Sequence, residues 1–267
     1  MKRMKRTILM VQLLLVGVIA TAFTSCLGEG ENSREAKGEF VYITTINGVK
    51  VAAFSYGYLQ SEELNDLSAG DCALIDYKVN YDKSNAIAYL PNFLIVDPLN
   101  TFPVNSQFKA AITDIHQAEN GSKYDAFRSI VVNSYNTSQH LGDRWLFYYD
   151  YIKVEGEDEP QLQVYYNPEA QSDDQLKKGI VILDCVLSRV GGTSGNATSE
   201  WGIGKSVVDF SRLRAEFKNM AIPDSQYFSK ISFQFRYFVP GNNDQESELK
   251  TQVLTNSYYL LYTNETE

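Results

Sequence analysis

Two histidines, His116 and His140, are the whole supply of imidazole in 267 residues. Neither stands in an H-E-x-x-H or comparable ligand spacing, so metal-assisted hydrolysis has no motif to rest on. A Ser-His-Asp triad stays open on composition, but the nearest approach to a nucleophile elbow, Gly191-Gly192-Thr193-Ser194-Gly195-Asn196, misses the G-x-S-x-G pattern. Gly204-Lys205-Ser206 ends as a phosphate-binding loop would. The upstream glycine of such a loop falls on Ser199, however, and Val207-Val208-Asp209-Phe210 offers no long helix to point its N-terminus at a phosphate. The tripeptide therefore reads as a loop-to-strand connection. The acidic stretches 155–159 and 242–248 carry oxygen ligands without the glycine or spacing of an EF-hand, and read as solvated turns or a weak divalent-ion site. Paired carboxylates for glycoside hydrolysis cannot be recognised from spacing, because they would sit on separate strands. The sequence thus predicts no catalytic residue, no cofactor and no metal.

Aromatic side chains are the remaining chemical lead, with 18 Tyr, 14 Phe and 2 Trp. Tyrosine suits half-buried strand positions, so most of these belong to packing. The run Trp145-Leu146-Phe147-Tyr148-Tyr149-Asp150-Tyr151 and the pair Tyr258-Tyr259 nevertheless place aromatics on both faces of their strands. One face must then meet solvent or be covered by another element, and an uncovered aromatic could stack on a sugar or anchor a protein. Trp145 and Trp201, both near loops, are the predicted binding residues.

The first 26 residues show where the protein goes. Lys2, Arg3, Lys5 and Arg6 precede an apolar run from Ile8 to Phe23, which closes on Thr24-Ser25-Cys26. These are the basic, apolar and small-residue regions of a secretory signal. The run is shorter than the roughly 20 apolar residues that cross a bilayer. A cysteine after small residues resembles the lipobox of bacterial lipoproteins, in which the leader is cut before the cysteine and its sulfur carries diacylglycerol. Residues 1–25 are the expected signal peptide and Cys26 the expected lipid attachment site. More than one acyl chain would hold the protein firmly on a membrane.

Loss of the leader removes four basic residues and no acidic one, taking the formal charge from −9 to −13. Such acidity repels phosphate backbones, which argues against nucleic acid as a partner. Two cysteines besides Cys26, namely Cys72 and Cys185, are too few for a disulfide scaffold in an exported protein. They sit far apart in strand-like runs and read as buried free thiols.

The elements that would position any site are strands. Residues 26–38, small, polar and acidic, read as a flexible tether. Order is expected from Glu39, where Phe40-Val41-Tyr42-Ile43-Thr44-Thr45-Ile46 and Val49-Lys50-Val51-Ala52-Ala53-Phe54 flank Asn47-Gly48, a dipeptide suited to the positive φ angles of a type I′ hairpin turn. Asp71 to Val79 reads as a further strand. Pro91, Pro98 and Pro103 break the β-character that follows, and Val104 to Gln117 reads as a closing strand or a short helix. Residues 118–123 are the expected joint between a barrel or sandwich at 39–118 and a sandwich at 119–267. In Lys230 to Tyr237 the side chains Ile231, Phe233, Phe235 and Tyr237 alternate with polar residues, as in a half-buried antiparallel strand. One short helix, near Ser211 to Phe217, is expected in an otherwise all-β chain.

The Cys26 lipobox, the segment Ala69 to Tyr77, and Val207-Val208-Asp209-Phe210-Ser211-Arg212-Leu213 followed by Ile231 to Tyr237 together resemble the NigD-like family of bacterial lipoproteins. The likeness is one of layout over residues 39–262, and the tether here is only mildly acidic. It implies a small OB-like barrel followed by an antiparallel β-sandwich. It brings no catalytic residues, and its association with a bacteriocin locus suggests immunity as one role. The expected function is a non-enzymatic binding or interaction module on the cell envelope, anchored to the outer membrane and surface-exposed. Its partner would be an envelope protein or a glycan. The alternatives are a polysaccharide hydrolase, an adhesin-type structural subunit or a bacteriocin immunity protein.

Overall fold

The computed structural model describes residues 33–80, 93–106, 126–134, 140–189, 197–240, 247–252 and 258–264. Its first half is a ring of five strands: β1 (Ser33–Ile46), β2 (Val49–Phe54), β3 (Gly57–Gln60), β4 (Cys72–Asn80) and β5 (Phe93–Ser106). Antiparallel pairing runs β3-β2-β1-β4-β5, and a parallel contact between β3 and β5 closes the ring. The first hairpin forms where expected, with Ile46 opposite Val49 and φ of 51° at Asn47 and 82° at Gly48. These are the left-handed values that the two-residue turn requires. Val41, Ile43, Ala52, Phe54, Leu59, Ala73, Ile75 and Val79 fill the barrel.

Two expectations about this half need correcting. The strand β1 begins at Ser33, not at Glu39, because Ser33 to Ala36 pair with Asn80 to Tyr77 of β4 despite their polar side chains. A register shift follows, and there the Gly38 N–H, at φ of 63°, donates to the Asp76 carboxylate at 2.8 Å. Pro98 and Pro103, expected to break the chain, both lie inside the continuous strand β5. Beyond β4, β5 pairs with β3 only at residues 93–95 and with β10 only at 105–106. Both prolines fall between these contacts, on an edge with no partner strand among the described residues, where a missing N–H costs little.

The second half comprises β6 (Phe127–Asn133), β7 (Arg144–Val154), β8 (Gln161–Tyr166), β9 (Ile180–Ser188), β10 (Ala197–Asp209), the helix Ser211–Phe217, β11 (Ile222–Pro223), β12 (Phe228–Pro240), β13 (Ser247–Gln252) and β14 (Tyr258–Thr263). The barrel sheet continues through β5-β10-β7-β6. A second sheet, β11-β12-β9-β8 with β13 and β14 also along β12, packs against β6, β7 and β10 through one large core. Alternation in β12 is as expected, with Ile231, Phe233 and Phe235 buried in that core. The sandwich is not wholly antiparallel, however: β9 and β12 run parallel, with Ser232 to Tyr237 beside Ile180 to Cys185. Residues 181–187 of β9 are buried on both faces, the environment in which parallel strands occur. The fold is all-β, and the helix expected at Ser211–Phe217 is present. The joint expected at 118–123 lies outside the described residues. Among the described residues no helix is long and apolar enough to cross a membrane.

Candidate functional site

The strand pair β7 and β10 organises the molecule because it has two different faces. Trp145, Phe147, Tyr149 and Tyr151 of β7 point into the sandwich core. Trp145 is 0% exposed and lies 4.5 Å from Phe210 and 5.6 Å from Phe233, ring centre to ring centre. The expectation that Trp145 binds a ligand is therefore corrected. It is a core residue, and nothing outside the protein can reach it. Aromatics on both faces of β7 are accommodated by covering each face with a different neighbour.

Gly202 and Gly204 of β10 stand opposite Tyr151 and Tyr149. A Cβ on Gly204 would fall 2.1 Å from the Tyr149 ring and one on Gly202 2.4 Å from the Tyr151 ring, so the absence of side chains lets both rings lie across the backbone. The Tyr149 hydroxyl donates to the Pro160 carbonyl at 3.0 Å and approaches Glu159 at 3.5 Å. Burial raises its pKa to about 12. Gly204-Lys205-Ser206, the fragment with a phosphate-loop ending, is thus a tyrosine-packing segment inside a strand. In the acidic turn 155–159, Glu157 pairs with Arg189 at 3.6 Å and Glu159 lies against Tyr149 and Lys205. Among the described residues no group of three or more His, Cys, Asp or Glu side chains could hold a metal ion. The segments 191–196 and 242–246 lie outside the described residues.

The opposite face of β6, β7 and β10 is divided in two. At the barrel end, Leu146 and Val207 pack with Leu141 against Phe40, Cys72 and Leu74 of the barrel. Arg144 reinforces this seam: its guanidinium sits 3.5 Å over the Tyr42 ring and bridges to Asp209 at 3.1 Å. His140 contributes an edge-on contact with Tyr58 of β3, with ring centres 4.7 Å apart. Beside the seam, Arg214 of the helix grips the buried Asp143 carboxylate with two hydrogen bonds, at 2.6 and 2.5 Å. Cys72 and Cys185 are buried free thiols. Burial raises the Cys72 pKa to about 12, against a weaker lowering by Arg144, and burial also raises that of Cys185.

Beyond the seam the same face is open. Strand register sets Val131, Tyr148 and Lys205 in one row and Ser129, Asp150 and Ile203 in the next. Ile152 and Trp201 form a third row. Ile203 is 68% exposed and Val131 53%, while Trp201 and Ile152 are half-buried. Arg128 occupies the register shift of β6 and reaches over the Trp201 ring at 5.3 Å. Asp150 accepts the Ser129 hydroxyl at 2.8 Å. Of the residues expected to bind, Trp201 lies on this face and Trp145 beneath it. Cys26 and His116 lie outside the described residues. The signal for this face in the sequence is the branched aliphatic residue at the outward positions Val131 and Ile203.

No family model matches the chain, and no curated protein does. Solved structures do. An uncharacterized protein from Parabacteroides merdae superposes with a TM-score of 0.60 at 11% identity, over 85% of this chain and 99% of its own. The chain shares its fold. A candidate lipoprotein from Bacteroides fragilis gives 0.54 at 10% identity, over 86% and 97% of the two chains. A NigD-like immunity protein from Bacteroides caccae is also among the structures that match, with a TM-score of 0.49 at 12% identity over 86% and 98%.

Proposed function

We propose that this chain is a non-enzymatic binding module of the bacterial cell envelope, lipid-anchored at Cys26 on the outer membrane and recognising another envelope protein or a glycan. The observation that carries the reading is the open face: Val131 and Ile203 are exposed and Ile152 and Trp201 half-buried on strands whose other surfaces are packed against the barrel or the second sheet. An exposed apolar strip of this kind, rimmed by Arg128 and Lys205, is the usual mark of an interaction site. The secretory leader of residues 1–25 and the fold shared with a candidate lipoprotein support the envelope part of the reading. The buried carboxylates Asp143 and Asp184 are each held by an arginine, which suits a structural role for them.

The test is to incubate the soluble form, residues 27–267, with arrayed glycans and with envelope extract, reading retained ligand and released product together. Retention of an intact ligand is expected. Release of cleaved glycan overturns the non-enzymatic reading in favour of the hydrolase. Mass spectrometry of the membrane fraction tests the anchor, since an acylated N-terminal Cys26 is expected and an unmodified terminus would overturn it.

A further inference from the structure

We infer that the open face of β6, β7 and β10 docks a partner protein that presents apolar side chains flanked by carboxylates, an inference that rests on the binding-module reading above. Three rows on three strands span about 10 Å across, at the usual strand spacing of about 4.8 Å, which suits a single extended segment. The side chains offered are the exposed Ile203, Val131 and Arg128 and the half-buried Trp201, and Trp and Arg are among the residues that dominate the energetics of protein interfaces.

Charge selects among occupants. Arg128 and Lys205 are exposed at opposite sides of the strip, and among the described residues they face a single carboxylate on it, Asp150, which accepts the Ser129 hydroxyl and keeps its charge. The face is therefore cationic on a chain of net charge −9. Two copies stacked face to face would set Arg128 and Lys205 against their equivalents, and juxtaposed like charges weigh against that arrangement. A sugar would need a bare aromatic platform, but Arg128 already lies over the Trp201 ring. Apolar groups flanked by Asp or Glu satisfy both the aliphatic strip and the cations.

The probe is a random 12-residue peptide library displayed on phage, panned on the mature chain with the Ile203→Glu variant as counter-selection. Ile203 is largely exposed, so this variant should fold, and an unchanged unfolding midpoint checks that it does. Selected peptides should pair apolar residues with Asp or Glu. They should shift Trp201 emission, and bind at least tenfold more weakly to Ile203→Glu and to Arg128→Glu. Enrichment of Lys and Arg, or equal selection on wild type and Ile203→Glu, overturns the inference. An envelope ligand retained equally by wild type and Ile203→Glu overturns this face while leaving the binding-module reading intact, and glycan retention lost in Ile203→Glu overturns the protein partner alone.

Discussion

One end of the outer β7 and β10 surface is sealed by the barrel and the other is open, although the same two strands build both. At the sealed end Leu146 and Val207 meet Phe40, Cys72 and Leu74, and at the open end Ile203, with Val131 of the neighbouring β6, meets water. Both ends offer apolar side chains, so hydrophobicity alone does not tell a seam from a docking face. What separates them is whether the chain itself supplies the cover, and that is decided by strands distant in sequence.

Thiol chemistry gives the sharpest way to break this contrast. With a pKa near 12 in place of the ordinary 9.0, sealed Cys72 should react with an alkylating reagent about a thousandfold more slowly than a free thiol at pH 8, from ionisation alone. Rapid labelling in the native state would mean that the seam opens. An upward shift of the same direction in Tyr149 and Tyr262, to about 12 from 10.0, fixes a sign. These groups hold their protons more tightly when folded, so the stability they confer is complete below pH 9 and is lost as pH rises towards 12. Urea midpoints should fall over that interval.

The two tryptophans divide in the same way. Trp145→Ala empties the aromatic core and should cost about 3–5 kcal/mol, whereas Trp201→Ala on the open face should cost well under half of that in the same urea titration. Comparable losses would contradict the placement of Trp201. Gly204→Ala forces a methyl into the Tyr149 ring and should cost about 1–3 kcal/mol by overpacking. Arg144→Met removes the cation from Tyr42 and the bridge to Asp209, for a loss of about 0.5–2 kcal/mol. At the small end, Ile203→Glu should leave stability within about 0.5 kcal/mol, and a larger change would mean that the open end is covered after all.

Local signals made parts of this architecture legible. Asn47-Gly48 fixed the first hairpin through the φ angles its turn demands, and the alternation of Ile231, Phe233 and Phe235 marked the core face of β12. What could not be read depends on partners far along the chain. Ser33 to Gly38 have the composition of a tether, yet pairing to Asn80 and its neighbours makes a strand of Ser33 to Ala36. Pro98 and Pro103 looked like breaks because the sequence does not reveal which edge of β5 lacks a partner strand. The fate of Trp145 was hidden for a related reason. A strand with aromatics on both faces does not say which neighbour covers which face, so the residue that seemed a ligand platform proved to be the centre of the core. Trp201 reads from sequence only as a residue near a loop, and neither its face nor the arginine above it is legible there.

The long ladder between β1 and β4 also decides how the molecule would bear a mechanical load. A pull applied ahead of Ser33 enters along the axis of β1, whose pairing with β4 extends from Ser33 opposite Asn80 to Tyr42 opposite Cys72. Antiparallel hydrogen bonds lie perpendicular to the strands, so such a pull shears many of them together and cannot peel them one by one. Force then passes through β5 to β10 by the pairing at Ser206 and Val207, reinforced by the apolar seam. A protein tugged from its amino-terminal end under flow would load that ladder first, and the ladder resists as a unit because its hydrogen bonds are strained together.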